Sequence, residues 1–366
     1  MKLREVVRSI VERFPIGMVD EHDNVGLICG DYDDECERVT AVYEFDDQTL
    51  EELNASGSDL AVTYHTPIFR PVRNFISSES NPNPLLKAAR RKIGVFSVHT
   101  ALDITRDGLN FDLARRLGLD EIEFLSPLNN TLYKVVVFVP GSHEEEVRRA
   151  MSTAGGGTIG NYTGCSFAIG GTGTFTPGTG ASPFLGSPGQ MEKATEVRLE
   201  MIVEKSRLTD VIAGMKRVHP YEEVAYDFYP LSNESPNYGF GAIGKLEPAG
   251  SLLDFLRLLK RVLGISEVRA SHSTRDKIKR VALCAGSGMS FFPDAVRKQA
   301  DVFITGDVRH HDYREARTGG TVILDATHSA TEKFATELIY RKLKETFADK
   351  VGVIVSENRQ QNPVIL

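Results

Sequence analysis

The chain has 366 residues, 41% hydrophobic and 25% charged, which suits a folded protein of two or three domains with a sizeable core. Its net charge of −7 argues against a general nucleic-acid-binding surface, although a small phosphorylated ligand would need only a local basic patch. The longest apolar runs are strand-sized and the charged start from Met1 to Arg13 lacks a secretory apolar core, so no membrane span is expected and a cytoplasmic location is the default.

In chain order, Met1 to Arg13 is helix-periodic, Arg38–Glu44 reads as a strand, and Asp47 opens a helix with an acidic first turn. Leu60–Tyr64 and Gly94–Val98 read as short apolar strands on either side of a helix at Asn83–Arg91. This alternation predicts parallel βαβ units. The pattern changes near Leu128. Tyr133–Pro140 reads as a strand, and Ser142 with Glu145 three residues on reads as a capped helix start. The Gly-, Thr- and Ser-rich stretch from Gly155 to Gly189 reads as loops serving turns or subunit contacts. A strand at Val197–Val203 and a helix at Leu208–Val218 follow. His219-Pro220-Tyr221-Glu222-Glu223 reads as a structural loop in preference to a second metal site. The β-α-β…β-α-β order suggests a ferredoxin-like α+β module.

Beyond Asn233 the alternation resumes. Arg280–Ala285 runs into Gly286-Ser287-Gly288, Asp301–Thr305 runs into Gly306 to His311, and Thr321–Asp325 runs into a helix that carries His328 and Glu332. The simplest partition is an α/β core from residues 1–128 and 236–366, with an inserted module at 129–235. Cys29, Cys36, Cys165 and Cys284 show no CxxC spacing and read as free thiols, Cys284 as a small core residue.

Five of the nine histidines follow strand readings: His65, His99, His310, His311 and His328. Parallel sheets gather the carboxyl ends of their strands on one edge, where α/β proteins build sites. His328 and Glu332 are four apart and share a helix face. With Asp103 they offer a mixed nitrogen and oxygen donor set that suits zinc, iron, manganese or nickel. Taken singly, each histidine reads more readily as a loop or satisfied core residue than as a ligand, and spacing alone does not show convergence. Gly286-Ser287-Gly288 reads first as a tight turn, because it lacks the lysine and spacing of a P-loop.

Together these residues carry a resemblance. Asp23-Asn24-Val25-Gly26-Leu27, Tyr64-His65-Thr66-Pro67-Ile68-Phe69, His99-Thr100-Ala101-Leu102-Asp103, Gly286-Ser287-Gly288, Thr305-Gly306-Asp307 with His311, and His328 with Glu332 occur in this order. The set resembles the Nif-three-like dinuclear-metal-centre family, whose members are also catalogued as GTP cyclohydrolase I type 2 homologues. The insert is similar to the variant in which a PII/CutA-like domain interrupts the core, on Gly160-Asn161-Tyr162, Gly171 to Phe175 and His219 to Glu223.

The resemblance implies a discontinuous two-lobed α/β core and metal ligands at His65, Asp103, His328 and Glu332. It also implies one or two divalent ions per subunit, a homohexamer, and a nucleotide or related small-molecule substrate. The family pattern has two adjacent histidines where this chain has Tyr64-His65. One ion position is therefore weakened, Tyr-ligated or absent. His99 is placed to orient Asp103. His311 either lines the cavity as a catalytic acid or base, or packs its own helix start. His310 and His272 read as exposed, and Asp23-Asn24 as a turn near the site. Two functions stand: a metal-dependent hydrolase of the GTP cyclohydrolase type 2 kind, and a non-catalytic metal-binding or regulatory scaffold.

Overall fold

The computed structural model describes residues 1–76, 83–271 and 276–357; His272 lies outside the described residues. The chain divides into two compact units, Met1–Pro127 with Asn237–Leu366, and Leu128–Pro236.

The first unit holds two sheets in a mixed α/β arrangement. One has five strands in the spatial order Gly26–Cys29, Gly94–Ser97, Leu60–Thr63, Arg38–Val42 and Gly352–Val355. All neighbours are parallel except the antiparallel Gly26–Cys29 edge. Leu60–Thr63 and Gly94–Ser97 are buried at every residue, as expected of parallel strands covered on both faces. The other sheet has six strands in the order Arg269–Ala270, Val322–Asp325, Val302–Thr305, Lys277–Leu283, Gly239–Ser251 and Asp120–Pro127. Its three parallel strands are 277–283, 302–305 and 322–325. A single apolar core joins both sheets, from Val39, Leu60 and Phe96 to Val281, Ile304 and Leu324.

The helix Ala335–Phe347 packs on that core through Leu338, Ile339, Leu343 and Phe347, an apolar stripe at helical spacing. Lys342 falls on the buried side of the same helix and is only 2% exposed. Its ammonium is 2.5 Å from Asp107, which also binds Arg13 of the Leu3–Arg13 helix at 2.6 Å. Burial pushes the Asp107 carboxyl up, but Lys342 and Arg13 outweigh it and hold the group well below the ordinary carboxylate range.

The second unit runs strand Leu132–Pro140, helix Glu144–Thr153, strands Ser166–Phe175 and Glu192–Glu204, helix Leu208–Val218 and strand Tyr226–Leu231. The strands lie in the order 166–175, 192–204, 132–140, 226–231, and every neighbouring pair is antiparallel. This is the ferredoxin-like β-α-β-β-α-β pattern. Val135, Val137 and Val139 pack under Val147, Met151, Val211 and Met215 of the two helices.

Two local expectations are corrected here. The Gly- and Thr-rich run is not all loop: Ser166–Phe175 is an edge strand, paired from Ser166↔Met201 to Phe175↔Glu192. Its side chains are mostly exposed, so it needs no apolar alternation and its composition imitates a loop. Ser142 does not cap a helix. A 3-10 turn at Gly141–His143 intervenes, Ser142 Oγ hydrogen-bonds His143 Nδ1 at 2.9 Å, and Glu145 pairs with Arg148 and Arg149 instead. His219 anchors its loop. Nε2 donates to Phe138 O at 3.0 Å and Nδ1 accepts from Tyr221 N at 3.1 Å, which leaves neither nitrogen for a metal.

All four cysteines are free. Cys284 is buried and Cys36 is buried with its thiol pushed up to about 12, chiefly by burial. No helix among the described residues is long and apolar enough to cross a membrane.

Asp107→Asn would leave the Lys342 ammonium without its counter-charge. The expected loss in urea unfolding at pH 7 is about 2 kcal/mol, below the ~3–5 kcal/mol of a wholly buried pair because Asp107 faces water on one side. The folded carboxyl titrates below its unfolded value, so the pair's stabilisation is complete above about pH 4 and is lost as pH falls further. The gap between wild type and variant therefore narrows on acidification.

Candidate metal centre

The first unit's parallel strands deliver the site residues at their carboxyl ends. In the five-stranded sheet the backbone ladder continues past the strands. Tyr64 N donates to Val42 O at 2.9 Å, His65 N to Tyr43 O at 3.0 Å and His99 N to Tyr64 O at 2.9 Å. Tyr43, Tyr64, His65 and His99 are thereby set side by side. In the six-stranded sheet Ala326 N donates to Thr305 O at 2.9 Å, and the chain turns into the short helix His328–Thr331 with Glu332 at its C-cap. The four-residue spacing brings His328 Nε2 to 3.1 Å from Glu332 Oε1.

One donor atom each from His65, His328 and Glu332 lies within 4.8 Å of the others. His65 Nε2 is 3.0 Å from Glu332 Oε2. Ligands held ~2.0–2.2 Å from one ion stand about 3–3.5 Å apart, so both histidine–glutamate separations fit a shared cation. Two imidazoles and a carboxylate suit zinc, iron, manganese or nickel. Gly286 clears the space in front of them. A methyl group there would collide with Glu332 Oε1 and stand 3.4 Å from His328 Nε2.

Glu332 is 5% exposed and also accepts hydrogen bonds from the phenols of Tyr43 at 2.7 Å and Tyr64 at 3.3 Å. Burial pushes its carboxyl up, but the hydrogen bonds and charges of His328 and His65 prevail and leave it at about 2. The bond to Glu332, against the opposing effect of burial, raises His328 to about 9, with Asp307 adding to it. His328 is therefore protonated at neutral pH in the ion-free protein, and cation binding there releases a proton. Asp103 is pushed up to about 7, mainly by burial and then by the Glu332 charge.

Two histidines are held from behind by carboxylates. His328 Nδ1 lies 2.6 Å from Asp307 Oδ2, and His99 Nδ1 lies 2.6 Å from Asp23 Oδ1. Such partners fix ring orientation and tautomer. His99, Asp307 and Thr327 all have positive φ, at 32°, 55° and 67°. Each costs about 1–3 kcal/mol, and such strain gathers where side chains must be aimed.

Not every residue singled out in the sequence joins the group. Asp103 stands beside it: both its carboxylate oxygens accept from the Tyr64 hydroxyl, at 3.0 and 3.1 Å, and Tyr64 lies between it and Glu332. His99 orients on Asp23, not on Asp103 as expected, because its strained backbone turns Nδ1 toward residue 23. His311 lies on the His310–Gly319 helix, 70% exposed, with Asp312 of the same helix 3.5 Å away, and is outside the group. Asn24 Nδ2 donates to Ile68 O at 2.9 Å, which ties its turn to the segment after His65. The amides of Gly286 and Gly288 are taken by Thr331 Oγ1 and Thr305 Oγ1, both at 2.9 Å, so the loop is a tight turn and not a phosphate cradle.

Sequence reasoning missed Tyr43, the role of Asp307 and the reason for Gly286. Asp307 carried a signal, since an acid two residues past a strand end can reach the neighbouring strand's histidine. Tyr43 carried none. Gly286→Ala should lower divalent-ion affinity at least ~10-fold by titration calorimetry. Gly118→Ala, equally left-handed at φ 72° but with open space around it, should leave affinity unchanged. Equal affinities for the two variants would contradict the steric account.

Residues 1–363 match the Duf34/NIF3 (NGG1p interacting factor 3) family. The GTP cyclohydrolase 1 type 2 homolog of Halalkalibacterium halodurans is 36% identical over 348 residues, covering 94% of this chain and 93% of its own. That of Bacillus subtilis is 35% identical over 358 residues, covering 97% and 96%. Among solved structures, a Bacillus cereus protein related to NIF3 superposes with a TM-score of 0.85 at 32% identity, covering 100% of this chain and 99% of its own. The chain belongs to the Duf34/NIF3 family.

Proposed function

We propose that this protein is a divalent-metal-dependent hydrolase of a nucleotide or related small molecule. The observation that carries the reading is the convergence of His65, His328 and Glu332 within 4.8 Å at the strand ends of two sheets. The nucleotide class rests on the name of the relatives, GTP cyclohydrolase 1 type 2 homolog.

When bound, the ion supplies Lewis-acid activation of water. The chain's own groups do the rest. Glu332, ionised over the whole neutral range, supplies the negative charge of the donor set. Asp307 holds the His328 ring through Nδ1 and so aims Nε2 inward. Tyr43 fixes one oxygen of Glu332. Asp103, with its carboxyl near neutrality, stands one hydroxyl away from Glu332 and can accept or return a proton there.

The second reading is a metal-binding scaffold without turnover. It is favoured by Tyr64, a phenol buried at the centre where the family pattern places an imidazole. The test is hydrolysis of a nucleotide panel that includes GTP, by protein stripped of metal and reloaded with zinc, manganese, iron or nickel. Under the first reading activity depends on the ion, and Glu332→Gln lowers it by more than roughly 100-fold with the fold intact by circular dichroism. Tight ion binding with no turnover of any nucleotide would favour the scaffold.

A further inference from the structure

A centre with two cations needs room for the second between the shared carboxylate and the next acidic ligand. In this chain that room lies between Glu332 and Asp103, and it holds the Tyr64 hydroxyl. The phenol oxygen is 3.0 and 3.1 Å from the two Asp103 oxygens and 3.3 Å from Glu332 Oε1. A divalent ion bridging the two carboxylates would sit ~2.0–2.2 Å from their oxygens, in the volume this hydroxyl fills.

The phenol has no freedom to withdraw. Tyr64 is 2% exposed. Its ring stacks on Tyr43 at 5.8 Å between centroids, and stands edge-on to His65 at 5.0 Å and to His99 at 6.0 Å. Its own backbone N–H is locked to Val42 O. The hydroxyl also does part of what a cation would do there. Two carboxylates that face each other, one buried and one half-buried, favour a positive or proton-donating group between them, and the Tyr64 O–H, within reach of three carboxylate oxygens, is such a group.

We propose that the Tyr64 hydroxyl stands in place of a second cation, so that each chain holds one divalent ion, at His65, His328 and Glu332. The proposal rests on the metal-binding part of the function above and departs from the two-ion centre that the family resemblance implies. His99 does not rescue a second position by itself, because its Nδ1 is engaged by Asp23 and no third donor joins it among the described residues.

The test is a metal count by plasma mass spectrometry on full-length protein, loaded with excess Zn²⁺ and then desalted. The wild type should carry one equivalent per chain. Tyr64→His, which exchanges the blocking phenol for an imidazole, should carry two. Iron-loaded, air-oxidised wild type should lack the visible charge-transfer band of an iron–tyrosinate bond. Two equivalents in the wild type, or that band, would overturn the proposal and leave the hydrolase reading standing. A folded Tyr64→His that still carries one equivalent would overturn it as well. No bound zinc in the wild type would instead overturn the metal-dependent function, and this proposal with it.

Discussion

The Glu332 carboxylate is the point at which the two sheets of the first unit meet chemically. It is almost fully buried, and a buried carboxylate without partners costs several kcal/mol. Four side chains answer it: Tyr43, Tyr64 and His65 from the five-stranded sheet, and His328 from its own short helix. The apolar core beneath, continuous from Phe96 to Leu324, holds the two sheets in the register that makes this contact possible. The same crowding holds the Glu332 carboxyl at about 2 and lifts Asp103 toward neutrality, so one feature of packing sets the protonation of the whole centre.

Position comes at a local cost. His99, Asp307 and Thr327 each take a left-handed backbone that a side chain other than glycine's disfavours. All three lie where a strand gives way to a helix, and two of the turns are closed by side-chain contacts. Asp307 reaches His328, and His99 reaches Asp23, whose other oxygen accepts from Thr100. In these segments the strain falls in the turns that aim imidazoles inward, while the strands that lead into them are regular.

Much of the α/β architecture is legible in the sequence because its strands are buried on both faces. Leu60–Thr63, Gly94–Ser97, Val302–Thr305 and Val322–Asp325 are short, mostly apolar runs that end on a polar residue, and each is a strand. Ser166–Phe175 is illegible for the opposite reason: an edge strand with exposed side chains carries no apolar pattern. In the centre, His65, His328 and Glu332 are visible because histidine is rare and stands just past strands. Tyr43 is hidden, since a tyrosine at the end of an apolar strand reads as core. The relation of Tyr64 to Asp103 is hidden too. Its departure from the family pattern shows in the sequence, but only the geometry places the hydroxyl between two carboxylates.

X-ray absorption at the edge of a bound zinc tests the central claim most directly. The account predicts a first shell of nitrogen and oxygen at ~2.0–2.2 Å, with the multiple scattering of two imidazoles and no metal–metal vector near ~3.5–4 Å. In Glu332→Gln that signature should be lost. A shell built from fewer than two imidazoles, or one unchanged in Glu332→Gln, would contradict the claim that His65, His328 and Glu332 hold a single shared cation.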